Sequence, residues 1–417
     1  MKRKTGRNIR AASPGTGVNA SESGRNAPDG HVTGRNAPDG HVTGRGADKE
    51  DVSAQTAVVV KHTGSHYLLS RLPEWKPFLA VIKGKLRLDT TTTTNPIAVG
   101  DIVEYDGDAD AASQVLNDFE LISGDRENIQ RGPRKRESVC SIKRVLDRRN
   151  CIVRRSTNLS RQNHVIAANL DRVFLVVTLR DPEIKLQFVD RFLVTCEAYN
   201  VPVTIILNKA DLYRGEESAL SESKGMINSS ADAFDQTLAD EDLAQMAAGF
   251  MQIYRGAGYE VLETSVRTGY NIGVLKKKCT DKVVLFSGQS GVGKSSLVNA
   301  LDPSLRLKTA EISQAHLQGR HTTTFYQMHP LSGGGFVVDS PGIRGFGLVD
   351  FKREELSNYF PEMLRVEDNC RFAPCTHTHE PGCAVKQAVE NGEISPLRYD
   401  SYLAMLEDDG KYREGDD

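Results

Sequence analysis

Two loop motifs of nucleotide-binding α/β folds occur in this chain in the reverse of their ordinary order. Asn208-Lys209-Ala210-Asp211 precedes Gly288-Gln289-Ser290-Gly291-Val292-Gly293-Lys294-Ser295. A fold that uses both must bring the two loops to one edge of a sheet while its strands run in rotated sequence. The later motif is complete as Gly-x4-Gly-Lys-Ser, and its flanks suit it. Lys282-Val283-Val284-Leu285-Phe286 predicts a buried parallel strand, and Lys294 to Leu301 predicts a helix with Leu297, Val298 and Leu301 on one face. Glycines in such a loop let backbone N–H groups turn toward phosphates at the positive end of the helix. Lys294 would then reach the β- and γ-phosphates, and the Ser295 hydroxyl would ligate Mg2+.

The earlier motif ends a second apolar run, Val203-Thr204-Ile205-Ile206-Leu207. A carboxylate at Asp211 can accept from both N1–H and the 2-amino group of guanine, a donor pair that adenine lacks. Asn208 can serve the 6-oxo edge, and the Lys209 stem can cover the base face. Four residues alone also describe a polar turn after a strand. A phosphate loop in the same chain favours the guanine reading.

A third element, Asp339-Ser340-Pro341-Gly342, follows the apolar run Phe336-Val337-Val338. Asp339 at a strand end is placed to hold Mg2+ through water, and the Gly342 N–H can contact a γ-phosphate. Between the phosphate loop and this strand lies Gly319-Arg320-His321-Thr322-Thr323-Thr324. One of these threonines would complete the metal shell when GTP is bound. Thr323 is the candidate, although the sequence does not distinguish it from its neighbours, and a threonine-rich strand edge is the plainer alternative. Ile343 occupies the position where many GTPases carry the glutamine that orients the attacking water. Ile343 has no hydrogen-bonding group, so slow intrinsic hydrolysis is expected. His321 is the nearest residue able to position water, against the competing reading of an ordinary loop histidine.

Cys370-x4-Cys375-x-His377-x5-Cys383 has the ligand spacing of a closed tetrahedral Zn2+ site. Such a site leaves no coordination position open, so its role is structural. His379, two residues on, is a rival ligand. Cys140, Cys151, Cys196 and Cys279 are scattered, and no signal-peptide pattern precedes them. A disulfide framework is therefore not expected, and the setting reads as cytoplasmic. Pro396 to Leu406 predicts a helix packing near the cluster.

Hydrophobic content of 39% supports sizeable cores, while a net charge of −2 gives no general pull toward nucleic acid. No apolar stretch approaches the roughly 20 residues that span a bilayer. Charge is unevenly spread, with a basic run from Arg131 to Arg149 continuing to Arg154, Arg155 and Arg161. Nucleic-acid backbone contact is the reading favoured over a solvated basic face. Before it, Ala57–Val60, Tyr67–Leu69, Phe78–Ile82, Lys85–Leu88 and Asp101–Tyr105 predict five short strands, as in an OB-type barrel. Gly24–Thr33 recurs unchanged as Gly34–Thr43, and this Gly-, Asn- and Pro-rich leader is expected to bury nothing. Its basic start lacks the amphipathic pattern of a transit peptide. The polar segment Tyr213 to Gln245 is expected to form an enlarged surface loop.

The motif order resembles that of the RsgA/YjeQ family of small-ribosomal-subunit-dependent GTPases. Asn-Lys-Ala-Asp, Gly-Gln-Ser-Gly-Val-Gly-Lys-Ser-Ser, Gly-Arg-His-Thr-Thr-Thr, Asp-Ser-Pro-Gly and the segment Cys375–Val385 carry the resemblance, which covers roughly Gln55 to Tyr402. It implies a multidomain chain with an OB-fold β-barrel, an α/β P-loop GTPase of circularly permuted motif order and a mainly α zinc-binding domain. The boundaries expected are a leader at 1–54, the barrel and basic segment at 55–156, the GTPase at 157–347 and the zinc domain at 348–417. The resemblance further implies guanine binding by Asn208, Lys209 and Asp211, phosphate binding by Gly288 to Ser296, and zinc at Cys370, Cys375, His377 and Cys383. It implies a late role in small-subunit maturation, with the small subunit and its rRNA as partners and hydrolysis stimulated by the subunit. A monomer with no membrane association is expected. A guanine-nucleotide-sensing RNA-binding module with negligible hydrolysis is the alternative, and a small-molecule kinase would need neither Asn-Lys-x-Asp nor the cysteine cluster. Because the zinc domain follows Asp-Ser-Pro-Gly directly, movement of that motif is expected to pull on a whole domain.

Overall fold

Short apolar runs broken by turn residues form a closed barrel at the N-terminal end of the described structure. The strands are β1 (Gln55–His62), β2 (Tyr67–Ser70), β3 (Phe78–Ile82), β4 (Ile102–Asp106) and β5 (Cys140–Val145). They pair in the order β1-β2-β3-β5-β4, and β4 returns to β1. Alternate residues face inward, so Val59, Leu69, Phe78, Val103 and Ile142 fill the interior. Helix α1 (Ala109–Ile122) seats Ala109 and Ala112 against the same core. Closure removes the unpaired strand edges that an open sheet of this size would expose.

The computed structural model of the chain describes residues 55–62, 66–82, 97–122, 139–155, 163–214, 230–306, 326–339 and 353–407. The repeated leader, the expected strand Lys85–Leu88, His321, Thr322, Thr323, Thr324, Gly342 and Ile343 lie outside the described residues.

Barrel closure corrects one sequence expectation. The strand that completes the barrel, β5, comes from within the basic run. Its alternation is legible only in part, since Cys140 and Ile142 are buried while Lys143 and Arg144 are exposed. Density of charge concealed a strand. The described cations of this run are also matched by carboxylates. Arg144 pairs with Glu104, Lys143 lies 3.1 Å from Asp106, Arg148 grips Asp101 at 2.6 and 2.7 Å, and Arg149 lies 2.6 Å from Asp171. A phosphate backbone would compete with these partners rather than meet unpaired cations.

A two-stranded sheet of β6 (Cys151–Arg155) and β7 (Asn163–Ala168) follows. The main sheet then adds β8 (Arg172–Val177), β9 (Val203–Asn208), β10 (Glu260–Thr264), β11 (Val283–Ser287), β12 (Gln327–Pro330) and β13 (Phe336–Asp339). Its order is β10-β9-β8-β11-β13-β12, with all pairs parallel except β12 to β13. The apolar runs read as buried strands, and Val173, Leu175, Ile205, Ile206, Val284 and Leu285 are fully enclosed. Chain order runs outward from β8 to β10 and then restarts beside β8 at β11. The crevice beyond the carboxyl ends of these strands is a topological switch point, where open α/β sheets bind ligands. Strand β12 meets the barrel through one β1 pairing, Lys61 with Gln327, and the Trp75 ring lies 5.8 Å from Phe336.

Helices α2 (Leu186–Ala198), α3 (Ser230–Ala257), α4 (Ile272–Cys279) and α5 (Lys294–Leu301) complete this domain. The loop expected over Tyr213–Gln245 is corrected from Ser230 onward, where the chain is helical. From Ser230 to Gln245 there is neither Pro nor Gly to break a helix, and the Ala, Leu, Gln and Glu residues offset the poorer propensity of its Asp residues. Its buried side, Leu243, Ala247, Phe250, Tyr254 and Ala257, follows the helical repeat.

The C-terminal part begins with a 3-10 turn at Arg353–Tyr359 and continues through α6 (Pro361–Leu364), α7 (Ala384–Glu390) and α8 (Pro396–Glu407). The expected helix from Pro396 is present. Leu356, Phe360, Met363, Val385, Ile394, Tyr402 and Met405 form its core, which also takes in Val194 of α2.

Candidate functional site

The phosphate loop runs from β11 into α5 as its flanks predict. Gly288, at φ +141°, is fixed by a close approach, because a Cβ there would lie 2.2 Å from the Val176 carbonyl oxygen. Gly293, at φ +92°, is required for a different reason. A Cβ there would lie 2.6 Å from Nδ2 of Asn208, so the glycine makes room for a side chain from the other motif. Lys294 lies inside the loop and donates to the carbonyls of Gly288 (2.8 Å) and Gln289 (2.5 Å). Ser290 and Gly291 are exposed at the loop tip, Val292 is buried beneath it, and Ser295 and Ser296 are half-buried on the first turn of α5.

Asn208 ends β9 and is 3% exposed. Its amide donates to the Val292 carbonyl at 2.9 Å, and its side-chain oxygen accepts from the Thr264 hydroxyl at 3.0 Å. Asn208 thus braces the tetrad against the phosphate loop, and its second amide hydrogen remains available to the base edge that the sequence suggested. Lys209 takes a left-handed conformation at φ 62°, and its ammonium donates to the Asp181 carbonyl in the loop between β8 and α2. Ala210 is buried. Asp211 accepts from the Ser265 hydroxyl at 2.5 Å, and Arg267 stands 3.9 Å away. One carboxylate oxygen is oriented by Ser265 while its remaining lone pairs stay available to a donor pair on a ligand. Tyr213 and Arg214 both donate to Glu263 of β10, which holds the turn after the tetrad against that strand.

Thr264, Ser265 and Arg267 are the residues that sequence reasoning missed. The signal was present as Thr264-Ser265-Val266-Arg267-Thr268-Gly269, a polar turn at the end of β10. No spacing within the chain ties that turn to Asp211. Asp339 ends β13 on the same sheet edge, with its backbone paired to Gln327, and its side chain lies outside the described residues.

The four expected metal ligands converge. Ligand atoms of Cys370, Cys375, His377 and Cys383 all lie within 4.8 Å of one another, and the group can hold a metal ion. Nδ1 of His377 is 3.4 Å from the Cys383 sulfur and 3.6 Å from the Cys370 sulfur. His379 turns its Nδ1 to the Thr378 hydroxyl at 2.9 Å and is not part of the cluster, which decides between the two histidines. Burial lowers the His377 pKa and so favours the neutral imidazole that a ligand requires. Burial pushes the Cys375 thiol up to about 12, and the neighbouring cysteine sulfurs act in the same direction. Packed thiols of this kind ionise together only when a cation balances them, so the donor set suits a metal. Nε2 of His377 is buried without a hydrogen-bond partner and faces a Glu367 oxygen 3.8 Å away, a carboxylate in position to fix the ring. The loop itself is held by Glu380, which accepts from Thr376 N, the Thr376 hydroxyl and Thr378 N.

A phosphate loop and a guanine tetrad on one edge of a six-stranded α/β sheet, with the tetrad earlier in the chain, define a circularly permuted P-loop GTPase. A closed barrel precedes it and a Cys3His module follows. The model of the RsgA GTPase family matches residues 145–237 and 236–349. A small ribosomal subunit biogenesis GTPase RsgA from Bacteroides fragilis is 42% identical over 362 residues, covering 85% of this chain and 98% of that protein. The protein of the same name from Flavobacterium psychrophilum is 42% identical over 360 residues, covering 86% and 94%. Among solved structures, YjeQ from Thermotoga maritima is similar at a TM-score of 0.57 with 30% identity, covering 84% of this chain and 96% of that one. YloQ, described as a circularly permuted GTPase, has a TM-score of 0.56 with 25% identity, covering 86% and 96%. The chain belongs to the RsgA GTPase family.

Proposed function

We propose that this protein hydrolyses GTP as a late maturation factor of the small ribosomal subunit, bound to that subunit and its rRNA, with hydrolysis stimulated by the subunit. The observation that carries the GTP reading is the Asn208–Val292 hydrogen bond. It makes the base-reading and phosphate-binding loops a single ligand cleft. The names borne by relatives that this chain matches over most of their length support the ribosomal role.

In this reading Asp211 receives the guanine N1–H and 2-amino donors, Lys209 covers the base, and Ala210 lies beneath it. Residues Gly288 to Ser296 wrap the phosphates, with Lys294 leaving its loop carbonyls for the β- and γ-oxygens. Ser295 and Asp339 would hold Mg2+, which supplies charge neutralisation at the phosphates when bound. Gly342 contacts the γ-phosphate, Thr323 belongs to the switch, and His321 orients the attacking water in place of the glutamine that Ile343 replaces. Cys370, Cys375, His377 and Cys383 hold Zn2+ as a structural ion. The division into leader, barrel, GTPase and zinc domain follows the boundaries read from the sequence, and the working form is a cytoplasmic monomer. No helix among the described residues is long and apolar enough to cross a membrane.

The test is phosphate release from GTP by the purified protein alone, with small subunits, with large subunits and with free RNA. Stimulation by small subunits above the other arms is the expected result. Equal, low turnover in all four arms would reject the hydrolase reading in favour of a nucleotide-sensing RNA-binding module.

A further inference from the structure

Helix α2 is buried continuously from Val189 to Cys196, unlike a helix lying on one face of a sheet. Val189, Phe192, Leu193 and Cys196 pack into the sheet's core, while Val194 belongs to the core of the C-terminal module. Where the two cores meet, Arg398 of α8 is 1% exposed. Its guanidinium donates to Glu362 of α6 at 2.6 and 3.3 Å and to Asp190 of α2 at 2.6 Å. Asp190 also accepts from the Tyr254 hydroxyl of α3 at 2.8 Å. The ring of Phe360 lies 4.7 Å beneath the guanidinium. Separating these ions would strand buried charges, so the four elements move together or not at all.

Both ends of this hub reach a ligand site. On one side, α8 holds the metal loop, since Tyr399 donates to the His377 carbonyl at 2.6 Å and Tyr402 to the Thr376 carbonyl at 2.7 Å. On the other side, the loop that enters α2 carries Asp181, whose carbonyl receives Lys209, and Pro182, which lies beside Gly291 of the phosphate loop. Helix α3 leads into β10, whose end supports Asn208 and Asp211 through Thr264 and Ser265. Packed elements therefore run from the cysteine cluster to the nucleotide cleft.

We propose that metal binding at the cysteine cluster and guanine-nucleotide binding are thermodynamically linked through Arg398, a positioning residue that ties α8 to α2 and α3. The proposal rests on the nucleotide and metal sites of the function proposed above. It also adds a second attachment to the one expected through Asp-Ser-Pro-Gly, because the C-terminal domain is fastened to the base-binding half of the sheet. Linkage is reciprocal, so each ligand must change the other's affinity by one common factor.

The full-length protein tests this with GDP titrations in the zinc-loaded and chelated states, and zinc titrations with and without GDP. Chelation should weaken GDP binding by about fivefold or more, and GDP should tighten zinc by the same factor. The variant Arg398→Met with Asp190→Asn and Glu362→Gln removes all the hub charges at similar volume. It should bind both ligands with the mutual factor reduced toward one. Should it fail to fold, Tyr399→Phe with Tyr402→Phe cuts the tie between metal loop and α8 without touching the buried ions, and must also reduce the factor. Equal GDP affinities in the two metal states of the unaltered protein overturn the linkage, as does an undiminished factor in a folded variant. Absence of GDP or zinc binding would instead reject the proposed sites, and the linkage with them.

Discussion

Replacing Asn208 by alanine separates a brace from a base reader. The side chain is 3% exposed and makes two hydrogen bonds, to the Val292 carbonyl and from the Thr264 hydroxyl. Alanine leaves a carbonyl and a hydroxyl without these partners, and each buried polar group so stranded costs about 1–3 kcal/mol. Asn208→Ala should thus destabilise the nucleotide-free protein by roughly 2–6 kcal/mol. The chain's one tryptophan, Trp75, lies against Phe336 of β13 and gives a fluorescence signal for urea unfolding. Affinities for GDP and for the 2-aminopurine nucleoside diphosphate, which has no 6-oxo group, should fall by a common factor. Thr264→Val, which removes one of the two hydrogen bonds, should show a smaller effect in the same direction. Unchanged stability without nucleotide, combined with a loss confined to GDP, would refute the brace and restore the 6-oxo contact.

Asp211→Asn replaces an acceptor-only group with one acceptor and one donor. GDP affinity should fall by roughly ten- to a hundredfold while xanthosine diphosphate binding rises, and competition titrations would read both changes. Gly288→Ala places a Cβ 2.2 Å from the Val176 carbonyl at a φ of +141°, so the loop must distort by an amount worth about 1–3 kcal/mol. GDP binding should weaken about tenfold or more while zinc content stays unchanged. Asp302 caps α5 and joins it to the turn before β13. Burial opposes its ionisation, but hydrogen bonds from Ser304 and Ser332 outweigh this and hold the carboxyl at about 2. A folded-state value below the unfolded one means the stabilisation is present above about pH 4 and disappears as pH falls through about 2. Asp302→Asn should accordingly cost roughly 2 kcal/mol at pH 7 and progressively less on acidification, as followed by urea unfolding at a series of pH values.

Legibility in the sequence followed the range over which each signal acts. The phosphate loop, its strand and α5 were readable because glycine spacing, an apolar run and a helical repeat are contiguous. The metal ligands were readable for the same reason, apart from the choice between His377 and His379. That choice depended on where a left-handed turn at His377, φ 58°, directs each ring. Strand β5 was obscured because Lys143 and Arg144 interrupt its alternation, and α3 because its first half is as polar as a loop. Ser265 and Arg267 were legible as a turn and illegible as part of the site, since nothing local connects them to Asp211.

Motif chemistry and motif order were therefore determined by the sequence itself: guanine selectivity, phosphate binding, a Cys3His cluster and a rotated strand sequence. Each resides in a few adjacent residues whose chemistry survives any arrangement of the rest. Tertiary structure decided what those residues do to one another. It tied Asn208 to Val292, matched Lys143, Arg144, Arg148 and Arg149 with carboxylates, and buried Arg398 between Asp190 and Glu362, partners 208 and 36 residues away in sequence. Burial makes such pairings consequential, because a charge or amide removed from water must find a partner wherever the fold places one. No local pattern records where that will be.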